Sequence, residues 1–283
     1  MGFRIAHLSD IHFGKIGNPE IVDVLVQEVN EAHVDLTCIS GDLTQRARQE
    51  EFRQATQMID NIKSDVLVVP GNHDVYAWWY PLRRLADSLR RYRSYITEDL
   101  SPSVKRDGVA VLGINSAHGW TIKGGHIDES ERDRMRRFFD EASSDVFKVV
   151  VVHHHLSRIE ALGVHDIARN AQLTLDAAVE ANVDLILCGH LHISHIEPVE
   201  IIPGEHRLVI ASAGTATSTR GRKAHRKSNF YNLIDIGPDH FTIRELRFNP
   251  SRRRFTADCE TRFERVMTAD TRASTAQTDE HVA

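Results

Sequence analysis

Seven side chains able to bind a cation recur in five short blocks. They are Asp10 and His12 in HLSDIHFG (7–14), Asp42 in SGDLT (40–44), Asn72 in VPGNHDV (69–75), one histidine of VHHHL (152–156), and His190 and His192 in CGHLH (188–192). Asp, Asn and His without Cys make an oxygen and nitrogen donor set, which suits Mn, Fe or Zn better than Ca, Mg or a thiolate-bound ion. Seven ligands exceed what one such ion takes but fit two ions that share a carboxylate, and Asp42, with two oxygens, is the natural bridge.

Such groups converge only if the chain delivers them to one place. Each block ends a short apolar, β-branched run, and open α/β sheets collect ligand-binding groups at their strand ends. The pattern predicts strands near 3–8, 35–40, 65–70, 108–115, 147–153 and 183–188, with helices over 19–32, 47–61, 81–95, 129–142 and 170–181. Asp128, three residues before Glu131, marks a capped start for the fourth helix. After Gly189 the pattern turns to strands alone, near 196–202, 207–212, 229–236, 240–248 and 254–263. That change suggests a second sheet packed on the first, with helices outside. Side chains alternate along a strand, so the run VVVVHHH (149–155) sends either His154 or the pair His153 and His155 toward a site.

Composition bounds the function. The chain has 283 residues, 41% hydrophobic and 27% charged, with a formal net charge of −5. That balance reads as an ordinary globular protein and disfavours a stable nucleic-acid complex, which needs a basic surface. The first residues do not read as a secretory signal, and no apolar run nears the ~20 residues that span a bilayer. Three scattered cysteines, Cys38, Cys188 and Cys259, fit a reducing compartment, so a cytoplasmic location is the expectation. A single domain is expected over 1–265, with 266–283 a disordered tail.

The ordered set DxH, GD, GNHD, H and GHxH, from residue 10 to residue 192, resembles the calcineurin-like metallophosphoesterases, and most of all the class III cyclic nucleotide phosphodiesterases. The resemblance implies an α/β fold, a four-layer αββα sandwich of two mixed sheets. It also implies a dinuclear centre, with Asp10, His12, Asp42 and His192 on one ion and Asp42, Asn72, His190 and a triplet histidine on the other. A V-x-x-H register running from Val151 nominates His154, with His153 in reserve and His155 lining the substrate pocket. Catalysis would use a metal-bridging hydroxide on a small phosphodiester such as 3',5'-cAMP, with His73 at the scissile phosphate and Asp74 orienting that imidazole.

Other residues are second-tier. Asn115, His118 and Asn170 are candidates for substrate contact, Asn170 equally a helix N-cap. Arg220, in SAGTATSTRGRKAHRKSN (212–229) with Arg222, Lys223, Arg226 and Lys227, either flanks the phosphate or belongs to a solvated basic loop. Trp78, Trp79 and Tyr80 could stack on a base or rest on a lipid surface, which keeps peripheral membrane contact and a lipid phosphoesterase as an alternative. Core or homodimer contact is the preferred reading, with Arg83, Arg84, Arg90 and Arg91 on one solvated helix face. A metal-free scaffold is the remaining alternative.

Overall fold

A computed structural model describes residues 2–106, 108–121, 124–143, 145–159, 163, 165–202, 206–221 and 228–265. The tail 266–283 and the basic residues Arg222, Lys223, Arg226 and Lys227 lie outside the described residues.

The elements come in the order β1 (Phe3–Leu8), α1 (Glu20–Glu31), β2 (Leu36–Ile39), α2 (Gln49–Asp60), β3 (Asp65–Val68), α3 (Pro81–Ala86), α4 (Arg90–Tyr95), β4 (Ser103–Arg106), β5 (Val109–Ile114), α5 (Glu129–Asp140), β6 (Phe147–Val152), α6 (Ala171–Glu180), β7 (Leu185–Cys188), β8 (His195–Ile202), β9 (His206–Ser212), β10 (Phe230–Ile236), β11 (His240–Asn249) and β12 (Arg254–Glu264). They form two six-stranded sheets, ordered β12-β11-β10-β1-β2-β3 and β4-β5-β6-β7-β9-β8. Both are mixed, with parallel pairs such as β1·β2 and β6·β7 and antiparallel pairs such as β1·β10 and β8·β9.

Three apolar layers hold the sandwich together, and strand alternation sorts residues between them. Val149 and Val151 of β6 face Ile5, Leu36 and Leu67 of the other sheet, whereas Val150 and Val152 face Met135 and Phe139 of α5 and Leu175 of α6. On the opposite outside, Ile21, Leu25 and Val29 of α1, spaced four apart, join Phe52, Ala55 and Met58 of α2 against Ala6, Leu8 and Ile39. The result is the expected αββα order of layers.

The division of strands differs from the sequence expectation. The strands after residue 189 do not make a sheet of their own: β8 and β9 complete the sheet of β4–β7, while β10–β12 extend β1–β3. β1 accepts β10 on its open edge, in a register that pairs Phe3 with Ile236. The polar strand β4 carried no apolar alternation and was not anticipated. The expected helix 81–95 breaks between Ala86 and Arg90, where Leu89 turns inward and is buried. Its arginines therefore do not share a face: Arg91 donates to Ala47 O, and Arg84 to the carbonyls of Tyr76, Gly119 and Thr121. The helix α5 starts where expected, but Asp128 makes no side-chain cap and lies 3.3 Å from His126 Nε2 instead. Among the described residues no helix is long and apolar enough to cross a membrane.

Candidate metal centre

The five blocks meet at one end of the sandwich, on the loops that follow β1, β2, β3, β6 and β7. These loops turn sharply. Asp10, His12, Asp42, His190 and His192 all hold positive φ, between 53° and 68°. Left-handed backbone is unfavourable for residues with a Cβ, so the surrounding hydrogen bonds must enforce it. They do: Asp10 N donates to Gly41 O, His12 N to Asp42 O, and His190 N to Asp10 Oδ2. Two glycines sit where a side chain cannot. A Cβ on Gly71 would collide with Asp42, and one on Gly189 with Ser9 and Asp10.

A second clasp comes from small residues of the 212–229 stretch. Thr215 Oγ1 donates to Asp10 O at 2.6 Å, Thr217 Oγ1 to Ile11 O at 2.7 Å, and Ala216 N to Ser9 O at 3.0 Å. In the sequence they were only small residues in a loop.

The ligand side chains form two groups. Asp10, His12, Asp42 and His192 place ligand atoms within 4.8 Å of one another, and so do His153, His154 and His190. Asp42 adjoins both, because its Oδ1 lies 3.4 Å from His153 Nε2 and its Oδ2 3.6 Å from His12 Nε2. Asn72 Oδ1 sits 3.0 Å from His190 Nδ1 and 3.2 Å from His153 Nε2.

Does this arrangement fit cations? Each carboxylate has one oxygen held by donors and one that faces histidine nitrogens alone, Asp10 Oδ1 lying 3.2 Å from His192 Nε2 and Asp42 Oδ2 3.6 Å from His12 Nε2. Asp10 Oδ2 accepts from Ser9 Oγ and His190 N, and Asp42 Oδ1 accepts from His73 N at 2.7 Å. Asp10 Oδ1 and Asp42 Oδ2 are buried and have no hydrogen-bond donor among the described residues. Leaving two carboxylate oxygens so would be costly unless something positive meets them. The histidines are prepared likewise: His12 Nδ1 faces Thr44 O and His153 Nδ1 faces Ser40 O at 2.7 Å, which turns each Nε2 toward the carboxylates. A ligating histidine usually anchors its other nitrogen in this way. The residues fit a pair of cations.

The charges agree. Burial alone would raise the Asp10 and Asp42 carboxyls, yet the neighbouring histidines hold both well below the usual range. Burial disfavours charge on His153 too, but Asp42 outweighs it and lifts that imidazole to about 9. His73 goes the other way, lowered to about 4 mainly by burial.

The triplet divides, with both His153 and His154 placed beside His190 in the second ligand group and His155 outside it. β6 ends at Val152, so strand alternation no longer governs residues 153–155. His153, the reserve, is the one that faces Asp42 and Asn72. His154 lies beside His153 and His190 but sets its Nδ1 2.8 Å from Ser116 Oγ. His155 does not line the pocket; it is buried with Nε2 3.3 Å from Cys188 Sγ.

Asp74 also differs from expectation. Its carboxylate takes the amides of Leu43, Thr44 and Gly71 and the Thr44 hydroxyl, tying the SGDLT loop to the GNHD loop. Burial, and then the charge of Asp42, raise it to about 6. His73 is oriented by Gln45 instead, through Nδ1 to Gln45 O at 2.9 Å.

Beside the two groups opens a cleft of about 480 Å³, lined by Asp42, Asn72, His73, His190, His192 and Arg220, with Gln45, Arg46, Trp78, Arg84, His165 and Asp166 around them. Arg220 donates to Gln45 Oε1 at 3.2 Å. Asn115, His118 and Asn170 are spent elsewhere: Asn115 Oδ1 accepts from Ala117 N, His118 Nε2 lies on His126 O, and Asn170 bonds the backbone of Ile127 without capping α6. Gln45, Arg46, His165 and Asp166 were missed by sequence reasoning; only the proximity of Gln45 and Arg46 to Asp42 could have pointed to any of them.

Known proteins resemble this chain over the same region. The model of the calcineurin-like phosphoesterase family matches residues 3–194. An uncharacterized metallophosphoesterase of Helicobacter pylori is 26% identical over 202 residues, covering 70% of this chain and 47% of its own, so the chain spans about half the length of that relative. A glycerophosphodiester phosphodiesterase of Enterobacter lignolyticus is 27% identical over 203 residues, covering 66% and 70%. A probable cyclic nucleotide phosphodiesterase of Moraxella catarrhalis is 22% identical over 207 residues, covering 68% and 72%. Among solved structures, a purple acid phosphatase from yellow lupin superposes with a TM-score of 0.70 at 11% identity, over 94% of this chain and 54% of its own, a likeness of fold.

Proposed function

We propose, from the premise that this chain belongs to the calcineurin-like phosphoesterase family, that it hydrolyses small phosphodiesters, 3',5'-cAMP and glycerophosphodiesters foremost. The observation that carries this reading is Asp42 standing between two groups of ligand atoms at the floor of one cleft. Asp10, His12, Asp42 and His192 would hold one cation and Asp42, Asn72, His153 and His190 the other, with Mn, Fe and Zn the ions this donor set suits. Such ions draw in phosphate oxygens and make water acidic enough to attack near neutral pH.

The remaining work falls to the protein's own groups. His73 keeps Nδ1–H on Gln45 O, which leaves Nε2 for the cleft; burial keeps the ring neutral, so Nε2 would take a proton from water in the cleft and pass it to the departing oxygen. Arg220, steadied by Gln45, brings a fixed positive charge to the same wall and offsets the charge that develops on phosphate. The diester preference is supported by the names of two relatives, one acting on glycerophosphodiesters and one on cyclic nucleotides. A location in the cytoplasm remains part of this proposal.

The test is a substrate panel with metal content measured on the same sample. Bis-p-nitrophenyl phosphate, 3',5'-cAMP and glycerophosphocholine are expected to turn over faster than p-nitrophenyl phosphate. Preference for the monoester would refute the diester assignment, and a metal-free, inactive sample that ions do not restore would refute the enzyme.

A further inference from the structure

The segment after the GNHD loop is apolar where it should be polar. Among the described residues, the exposed large hydrophobic side chains are Trp78, Trp79, Tyr80, Leu82, Leu85 and Trp120, with Leu173 the remaining one. Trp78 is 72% exposed, Leu82 81% and Leu85 76%. The helix α3, which carries both leucines, buries no residue at all. Core contact, one half of the preferred sequence reading, is therefore not what these side chains make; homodimer contact is the other half. Trp120 belongs to the same ridge, because Arg84 of α3 binds the carbonyls of Gly119 and Thr121 on either side of it.

Guanidinium groups are interleaved with the rings. Arg46 lies over Trp79 at 5.4 Å, Arg83 over Tyr80 at 5.5 Å, and Arg169 over Trp120 at 5.4 Å. Residues 76–95 carry five arginines and one acid in a chain of net charge −5, and that acid, Asp87, is bonded to Arg93. A ridge of Trp, Tyr and Leu set among cations matches the boundary between water and acyl chains, where amphipathic rings and basic side chains both find partners.

We infer that this ridge docks the protein on an anionic phospholipid bilayer. Exposed leucines enter the acyl boundary, the aromatic rings lie at headgroup level, and the exposed Arg83 and Arg90 meet lipid phosphates, while Arg84, Arg91 and Arg93 are bonded within the protein. Trp78 and Arg84 also line the metal cleft, so docking would bring its mouth to the lipid surface. The docking does not depend on which phosphoester is cleaved.

Sedimentation with vesicles tests it. The wild type is expected to pellet with mixed phosphatidylcholine and phosphatidylglycerol vesicles and far less with phosphatidylcholine alone. Leu82→Ser with Leu85→Ser should weaken partitioning at least about tenfold, and Arg83→Ser roughly fivefold. Hydrolysis of soluble bis-p-nitrophenyl phosphate and the melting temperature should be unchanged, which separates docking from folding and from chemistry. A wild type that ignores both vesicles, or a double variant that pellets like the wild type, overturns the inference. So does a wild-type dimer, indifferent to vesicles, that the double variant splits; the ridge would then belong to a second copy of the chain.

Discussion

The ligand bed and the rim beside it are built by opposite rules. In the bed, Asp10, His12, Asp42 and His153 are fully buried, and each is held by bonds to a neighbouring loop. Along the rim, α3 buries nothing and presents its leucines to the outside. The difference teaches that the position of the reacting atoms is written into backbone, whereas what reaches them is governed by side chains with few internal ties. Change in the bed should disturb chemistry and folding together; change on the rim should disturb neither.

The sharpest challenge to the bed is Asp42→Asn, which removes the charge that both ligand groups share. Hydrolysis should fall about a thousandfold or more, with bound metal reduced by elemental analysis; a variant with wild-type rate and metal would break the dinuclear reading. His73→Ala comes next, slowing hydrolysis by about a hundredfold or more while metal is retained. Loss of metal instead would make His73 a ligand. Gly71→Ala pushes a methyl group onto Asp42, and metal affinity should drop about 10–100-fold in competition titrations. Asp74→Ala leaves the buried amides of Leu43, Thr44 and Gly71 without their acceptor. A loss of roughly 1–3 kcal/mol in chemical denaturation is expected. At the quiet end, Leu82→Ser should alter stability by less than about 0.5 kcal/mol, since that side chain packs on little. A larger loss would move α3 from the rim to the core.

The same contrast explains how much could be read from the sequence. Candidate ligands in the bed were legible because each followed a short apolar run and stood next to, or one residue from, a glycine or another candidate ligand, signals that are local. The arrangement within the histidine triplet was not, since period-two reasoning stops applying where β6 stops, at Val152, and His153 and His154 both come to lie beside His190. Asp74 looked like a partner for His73 by adjacency, but the chain folds its carboxylate back onto the SGDLT amides. The layers were legible from periodicity, whereas the sharing of late strands between sheets was hidden in the pairing of Phe3 with Ile236, which no local pattern encodes. The rim stayed open for a related reason: aromatic residues in a row fit core, dimer or surface contact when nothing in the sequence says which way they face.

The clasp on the Asp10 loop has a consequence for how the protein is made. Thr215 grips the carbonyl of Asp10 from 205 positions further along, and β10, which closes the edge of β1, comes later still. Contacts of such long range close slowly. During synthesis, the Asp10 loop thus leaves the ribosome well before the residues that clasp it. The 3–194 stretch that matches the family holds every candidate ligand yet lacks Thr215 and Thr217, which clasp the carbonyls of Asp10 and Ile11.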